Sequence, residues 1–195
     1  DLFNTINTSL DVLTKKGLNG EEDGALARDV VVGGIKKRLR SLLTSKLDGF
    51  GETGRYISEL GIKTERDGSL SIEENDFKKK FAAEPILFDV MMNSLGTSSN
   101  PLVKVSHDST ILQPKGGVYN LVDNGDGNAT LGGISISSST LSDGTKRYSG
   151  ISGDISGLKL DVSGSVTNAT VFYGQSLFSK LTDYINEVVS STGVL

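Results

Sequence analysis

The residue types of a catalytic triad occur side by side at His107, Asp108 and Ser109. A triad needs its base and nucleophile to meet in space, and its members usually come from separate segments. Val103 and Val105 alternate with polar residues just before His107, which predicts a strand, and neighbouring side chains on a strand point to opposite faces. His107 is the single histidine of a chain without cysteine, which argues against a structural zinc site. We interpret His107 as a surface residue at a strand end, and we expect neither an enzyme nor a bound cofactor.

A calcium loop is a second chemical interpretation of the sequence. If Gly68 takes the sharp-turn position of such a loop, Glu65 and Asp67 fall on ligand positions and Glu74 falls on the bidentate position. The first ligand position is then Lys63, a cation where a carboxylate is required. The segment is therefore predicted to be a turn that leads into a helix.

The loop with Asp123, Asp126 and Asn128 is the remaining candidate for cation binding, since its oxygens are of the kind that bind calcium. Asn124-Gly125 and Asp126-Gly127 are also dipeptides that favour tight hairpin turns. A hairpin accounts for this loop without an ion, so we expect that no metal is needed.

The composition excludes several classes of protein. Charged residues make up 23% of the 195 residues and the formal net charge is -4, so nothing indicates a nucleic-acid partner. No apolar run is long enough to span a bilayer, and we expect no membrane insertion. A chain without cysteine fits a cytosolic protein, and equally one that is exported unfolded through a narrow channel. Because the chain begins with Asp1 rather than Met, we interpret it as an excised part of a longer protein.

The spacing of apolar residues predicts a first helix over residues 2–16, ended by Gly17. Four apolar residues recur at helical spacing and share one face, which we expect to be buried: Leu2, Ile6, Leu10 and Leu13. The intervening polar residues are expected to face solvent: Asn4, Asn7, Ser9 and Asp11.

A second helix is predicted over residues 30–47, with Asp29 as its N-cap because a carboxylate accepts hydrogen bonds from the free amides of a first turn. Its apolar stripe is Ile35, Leu39, Leu42, Leu43 and Leu47. Its polar side carries four cations: Lys36, Lys37, Arg38 and Arg40. They form either a solvated face or a candidate contact site for an acidic partner surface or a neighbouring subunit.

The middle of the chain is predicted to form a tight turn at residues 66–69, followed by a short strand and a helix. Phe77 and Phe81 are four residues apart and share a face of that helix. Pro85 opens a further helix, which we expect to reach Leu95.

From residue 102 to residue 173 the apolar period changes to two, which predicts strands. The predicted strands lie near residues 103–106, 118–122, 131–136, 147–151, 158–163 and 169–173. Their short turns favour an antiparallel sheet or a small sandwich with one wet face.

A last helix is predicted over residues 175–191. We expect it to pack with the first two helices, with Leu181 almost fully buried. The predicted fold class is therefore α+β: a helical bundle with a small strand-turn element, plus an antiparallel β-domain inserted before the last helix. Residues 1–100 and 174–195 would form a helical leg, and residues 101–173 a β-rich head.

The segment from residue 60 to 85 reads LGIKTERDGSLSIEENDFKKKFAAEP. It resembles a pattern of LGI, DG-(T/S)-L, an acidic stretch, a short helix and a proline that is typical of the bacterial flagellar filament-capping proteins, the hook-associated protein 2 family. Residues 24–29 (GALARD) and 37–44 (KRLRSLLT) resemble a GxLAGD segment followed by a helix with LRSLL. Arg28 stands where the family usually has glycine.

Two later segments also match: residues 157–160 (GLKL) resemble a GLxL segment and residues 173–177 (YGQSL) a YGxS segment. Residues 97–156 match poorly. The positions taken as family motif positions, all expected to be structural, are Gly24, Leu26, Asp29, Leu39, Arg40, Leu60, Gly61, Ile62, Asp67, Gly68 and Leu70.

The resemblance implies a secreted, extracellular structural protein that caps the bacterial flagellum at the filament tip. It implies a homo-oligomeric ring that holds arriving flagellin while it folds and inserts, with coiled-coil segments next to the helical leg. Hook-filament junction proteins and an export chaperone would be further partners. Two alternatives remain: an extracellular adhesion module that binds a glycan or a host surface, and another flagellar axial protein of the hook-filament junction.

Overall fold

The computed structural model describes residues 1–108, 113–125 and 128–192. The helices are α1 (Leu2–Thr14), α2 (Val30–Thr44), α3 (Glu74–Ala83), α4 (Ile86–Met92) and α5 (Leu177–Thr192). The strands of the first half are β1 (Leu47–Gly49), β2 (Gly51–Arg55), β3 (Ile62–Thr64), β4 (Leu70–Ile72) and β5 (Leu95–Ser98). The later strands are β6 (Val103–His107), β7 (Gly117–Asp123), β8 (Ala129–Leu131), β9 (Ile134–Thr140), β10 (Lys146–Ser149), β11 (Leu158–Val162) and β12 (Asn168–Gly174).

The chain forms two compact units. The first unit holds residues 1–45, 56–87 and 183–195, and the second holds residues 46–55 and 88–182. In the first unit, α1 lies beside α2, and β3 and β4 form an antiparallel hairpin in the register Ile62↔Ile72. Phe77 and Phe81 stack on α3 with ring centroids 6.2 Å apart, as the spacing predicted.

The second unit is built on one antiparallel sheet of eight strands in the order β5-β12-β7-β8-β9-β10-β11-β6. The two edge strands, β5 and β6, lie in contact with each other, so the sheet is nearly closed into a barrel. Its core contains the fully buried Leu121, Tyr148, Val171 and Tyr173. The predicted fold class is thus confirmed: α+β, with an antiparallel sheet that precedes the last helix.

Two apolar residues belong to strands rather than to the predicted helices. Since α2 ends at Thr44, Leu47 lies in β1, where it is fully buried. Leu95 opens β5, because α4 ends at Met92. An apolar residue at the end of a helical pattern suits a strand equally well, and here its tertiary contacts decide the outcome.

The predicted orientation of α1 is wrong. Asn7, expected to face solvent, is only 5% exposed, whereas Leu2 is 76% exposed. Leu181 on α5 is half-buried rather than almost fully buried, and Ile185 one turn later is exposed.

Candidate interaction surfaces

The segment with Gly24 and Leu26 closes the C-terminal end of α1. The amide of Gly24 donates to the carbonyl of Lys15, and that of Leu26 to the carbonyl of Leu13, both at 2.8 Å. A Cβ on Gly24 would lie 2.4 Å from the carbonyl oxygens of Val12 and Leu13, so only glycine permits this approach. The bonds supply partners to carbonyls that a helix end leaves free.

Asp29 is the N-cap of α2, as predicted. Its Oδ1 accepts hydrogen bonds from the amides of Val31 and Val32 at 2.9 and 3.0 Å. The carboxylate also lies at the positive end of the helix dipole. The side chain therefore fixes where α2 begins.

Leu60, Gly61 and Ile62 connect a single 3-10 turn to β3. Leu60 and Ile62 are buried, and Gly61 adopts a φ of 79° as its amide donates to the carbonyl of Ser58. Only glycine takes this left-handed conformation without strain. The triplet thus anchors the hairpin by two apolar side chains on either side of a sharp turn.

The β3–β4 turn is organised by Asp67. Its Oδ1 accepts from the amide of Ser69 at 2.9 Å and from the Ser69 hydroxyl at 2.7 Å. The hydroxyl bond, and after it the amide bond, lower the pKa of the Asp67 carboxyl. Gly68 has a φ of +84°, and a Cβ there would lie 2.3 Å from Nε of Arg40. The turn is therefore shaped to accept the Arg40 side chain.

Asn4 binds the β4 backbone from α1. Its Nδ2 donates to the carbonyl of Leu70 and its Oδ1 accepts from the amide of Leu70, both at 2.8 Å. One turn along the helix, Nδ2 of Asn7 donates to the carbonyl of Asp67 at 3.2 Å. The Asn4 amide thus forms with Leu70 the two backbone hydrogen bonds that a neighbouring strand would otherwise form.

Arg40 and Lys36 complete this arrangement from α2. Arg40 donates to the Asp67 carbonyl and lies 3.6 Å from the Asp11 carboxylate, and Lys36 forms an ion pair with Asp11. Burial, and then the nearby Arg40, lower the pKa of Lys36. We call Asn4, Asn7, Asp11, Lys36 and Arg40 the polar cluster; it joins α1, α2 and the hairpin turn.

The four cations of α2 therefore divide into two pairs. Lys36 and Arg40 belong to the polar cluster, whereas Lys37 and Arg38 are exposed on the outer side of the helix. Leu39, between Arg38 and Arg40 in the sequence, is half-buried. Of the four candidate contact residues, Lys37 and Arg38 are the two whose side chains are exposed.

Asp123 is part of a hydrogen-bonded group on the sheet. Its Oδ2 accepts from Nζ of Lys146 at 2.7 Å and from the Tyr148 hydroxyl, and its Oδ1 accepts from the amide of Gly125 at 2.9 Å. The Lys146 bond, followed by the Tyr148 bond, lowers the pKa of Asp123 to about 2. Asp126, its predicted neighbour in a cation site, lies outside the described residues. The sequence offered no signal for the Asp123–Lys146 pair, whose members are 23 positions apart.

The other candidates for chemistry also have structural roles. His107 packs edge-on against Tyr173 with ring centroids 5.5 Å apart, and burial lowers its pKa. Asp108 accepts from Lys159 at 2.8 Å, and Ser109 lies outside the described residues.

The acidic residues of the supposed calcium loop do not converge. Glu65 accepts from the Ser71 hydroxyl, while Glu74 pairs with Lys78 on α3. Within the described parts of the chain, no three His, Cys, Asp or Glu side chains are grouped to hold a metal ion.

The sheet of the second unit has a neutral region and a charged region. A cleft of about 580 Å³ is lined by uncharged residues, among them Ser99, Asn120, Asn168 and Thr170. Elsewhere on the sheet, Arg147 binds Asp161 through two bonds of 2.6 and 2.7 Å. The pair lowers the pKa of Asp161. The cleft offers uncharged hydrogen-bonding groups. In the charged region, Arg147 and Asp161 already pair with each other.

These features define an α+β protein. The family described as "Flagellar hook-associated protein 2 C-terminus" matches residues 1–195. The chain belongs to this family.

A similar protein is the lateral flagellar hook-associated protein 2 of Vibrio parahaemolyticus serotype O3:K6 (strain RIMD 2210633), with 26% identity over 113 residues. That match covers 54% of this chain and 24% of the relative, so the chain spans about a quarter of the relative's length. No solved structure matches the chain. Among the described helices, none combines the length and the apolar character needed to cross a bilayer.

Proposed function

We propose that this chain is part of a flagellar filament cap that self-associates into a ring and promotes the folding and insertion of flagellin. The observation that carries the proposal is the family match over the whole chain, residues 1–195. The protein would act outside the cell, at the filament tip. Hook-filament junction proteins and an export chaperone would be further partners.

The geometry of the first unit supports a role in contacts rather than in catalysis. Each matched motif segment fixes a local conformation, since residues 24–26 close α1, Asp29 caps α2, residues 60–62 anchor the hairpin, and Gly68 receives Arg40. A frame fixed by backbone geometry presents its outer side chains at constant positions. Lys37 and Arg38 are the charged side chains that this frame presents on α2.

We further propose that the helical part acts as a leg, with residues 1–100 and 174–195, and that residues 101–173 act as a head. The leg would meet flagellin through α2. The head would form the plate above the growing filament, where uncharged surface such as the cleft at Asn120 and Asn168 is available for contacts between subunits.

Deletion of the gene in the source bacterium tests the proposal. Cells without a cap should release unpolymerised flagellin into the medium and carry hooks without filaments, and the normal gene should restore the filaments. Loss of a junction protein would give the same result, so immunogold labelling of intact filaments is needed as well. Label at the tip supports a cap, and label at the hook end would overturn it. Normal filaments in the deletion strain would also overturn it.

Charge reversal on α2 sharpens the test. Lys37→Glu combined with Arg38→Glu should weaken flagellin binding by at least about tenfold, because opposed like charges at a contact cost several kcal/mol. Binding is measured with purified flagellin and the full-length protein. Lys78→Glu combined with Lys79→Glu, two exposed cations on α3, is the matched control and should bind as the unchanged protein does. Equal weakening by the control would show that net charge, rather than this surface, decides binding.

A further inference from the structure

The face of α1 that packs inward is mainly polar. Asn4 and Asp11 are half-buried and Asn7 is 5% exposed, whereas Ile6 and Leu13 are 44% and 37% exposed. The helix is thus rotated by roughly a quarter turn from the position that would bury its apolar stripe, given about 100° per residue. Phe3 and Leu10 are half-buried, and Leu2 and Val12 are exposed.

Polar contacts therefore hold α1 to its unit. They are the paired bonds between Asn4 and Leu70, the bond from Asn7 to Asp67, and the ion pairs of Asp11 with Lys36 and Arg40. If α1 moves away, water replaces these partners, and the apolar side chains of α1 that gain exposure are ones already half-buried or exposed. Detachment of such an element costs far less than unfolding of an apolar core.

The segment that follows α1 is attached to the helix itself. The bonds from Gly24 to Lys15 and from Leu26 to Leu13 lie within residues 13–26, so they do not hinder a movement of the whole segment. The next fixed point is the Asp29 cap on α2. The hydrogen bonds that join α1 to the hairpin, and its ion pairs with α2, are those of the polar cluster, so the start of α2 is the point about which residues 1–28 would turn.

We propose that residues 1–28 form an arm that the polar cluster latches onto α2 and the hairpin, and that the arm opens while α2, the hairpin and the sheet remain folded. The latch is a conformational device that goes beyond the proposed cap function. Opening would expose the polar face of α1 and the hairpin edge at Leu70. Closing would restore the pairing of Asn4 with the backbone of Leu70.

Hydrogen exchange of the 195-residue chain, followed by mass spectrometry at several low urea concentrations, tests this. In the unchanged protein, amides of α1 should exchange through an opening with a small urea dependence, and amides of the sheet through one with a large dependence, because the slope follows the surface exposed. Asn4→Ala with Asn7→Ala should speed exchange in α1 by at least about tenfold, with α2 and the sheet unchanged. Alanine favours a helix more than asparagine does, so lower helix propensity would not explain that result.

Thr8→Ala, on the exposed side of α1, is the control and should leave α1 exchange unaccelerated. If α1 and α2 of the unchanged protein exchange with the same urea dependence, the arm is not a separate unit and the proposal is overturned, whatever happens to the double variant. Unaltered α1 exchange in a folded double variant would overturn the latch. Accelerated exchange in α2 together with α1 would do so as well.

Discussion

The sheet of the second unit and the polar cluster of the first unit are held together by different kinds of contact. The sheet encloses apolar side chains such as Leu121 and Val171, both fully buried. The polar cluster instead joins α1 to the hairpin through Asn4 and Asn7. Apolar burial is non-directional and resists opening, whereas an amide pair fixes orientation and contributes little net stability. One region therefore supplies stability and the other supplies geometry.

A cavity in the sheet should have the largest effect. Leu121→Ala removes a fully buried side chain and should lower the free energy of unfolding by about 2–5 kcal/mol. Val122→Ala, one residue later and 39% exposed, should cost less than about 1 kcal/mol. Urea unfolding of both variants measures the difference. Equal costs would mean that the sheet interior is not the source of stability in its unit.

The stability of the hairpin turn should depend on the space and the backbone conformation at Gly68 rather than on apolar burial. Gly68→Ala places a methyl group against Arg40 at a φ of +84°, and it should cost about 2–3 kcal/mol from backbone strain and steric conflict together. Gly144→Ala has a similar φ of +83° but open space around the new atom, so it should cost only the conformational part, about 1–2 kcal/mol. Thermal unfolding compares the two. A Gly144 variant as costly as the Gly68 variant would rule out a packing role for the Gly68 site.

Removal of the Asp123 carboxylate should lower stability by a smaller amount, and this loss should depend on pH. Its folded-state pKa of about 2 lies below the ordinary aspartate value of 3.8, so its stabilisation is present above about pH 4 and is lost as pH falls toward 2. Asp123→Asn should lower stability by about 1–3 kcal/mol at pH 7. It should also flatten the dependence of the melting temperature on pH between about 4 and 2. Asp154→Asn, an exposed aspartate of the same unit, is the comparison, and an equally flattened curve there would contradict the assignment to Asp123.

The sequence predicted most accurately what is decided locally or by apolar periodicity. Asp29 caps α2 because its carboxylate needs only the next few amides, and β11 and β12 follow the alternation that predicted them. The burial of α1 could not be predicted in this way, because Asn4 and Asn7 find their partners at Leu70 and Asp67, far along the chain. Periodicity reports which face is apolar and does not report which face a polar contact will hold inward.

The interaction surfaces were predictable only in part. The four cations of α2 were identified from composition, but their division depends on Asp11 of another helix, which pairs with Lys36 and lies near Arg40. The Asp123–Lys146 pair joins β7 to β10, two strands that are not neighbours in the sheet. Contacts of this kind follow from the closure of the sheet, which no single segment encodes.

The strand order of the second unit also has a kinetic consequence. The edge strand β5, at residues 95–98, pairs with β12, at residues 168–174, and β6 pairs with β11. Pairings between distant segments slow folding, since a long loop must be ordered before any contact compensates for it. While a ribosome is still adding the residues of β12, β5 has no partner strand, so the sheet cannot be completed until this final strand has emerged.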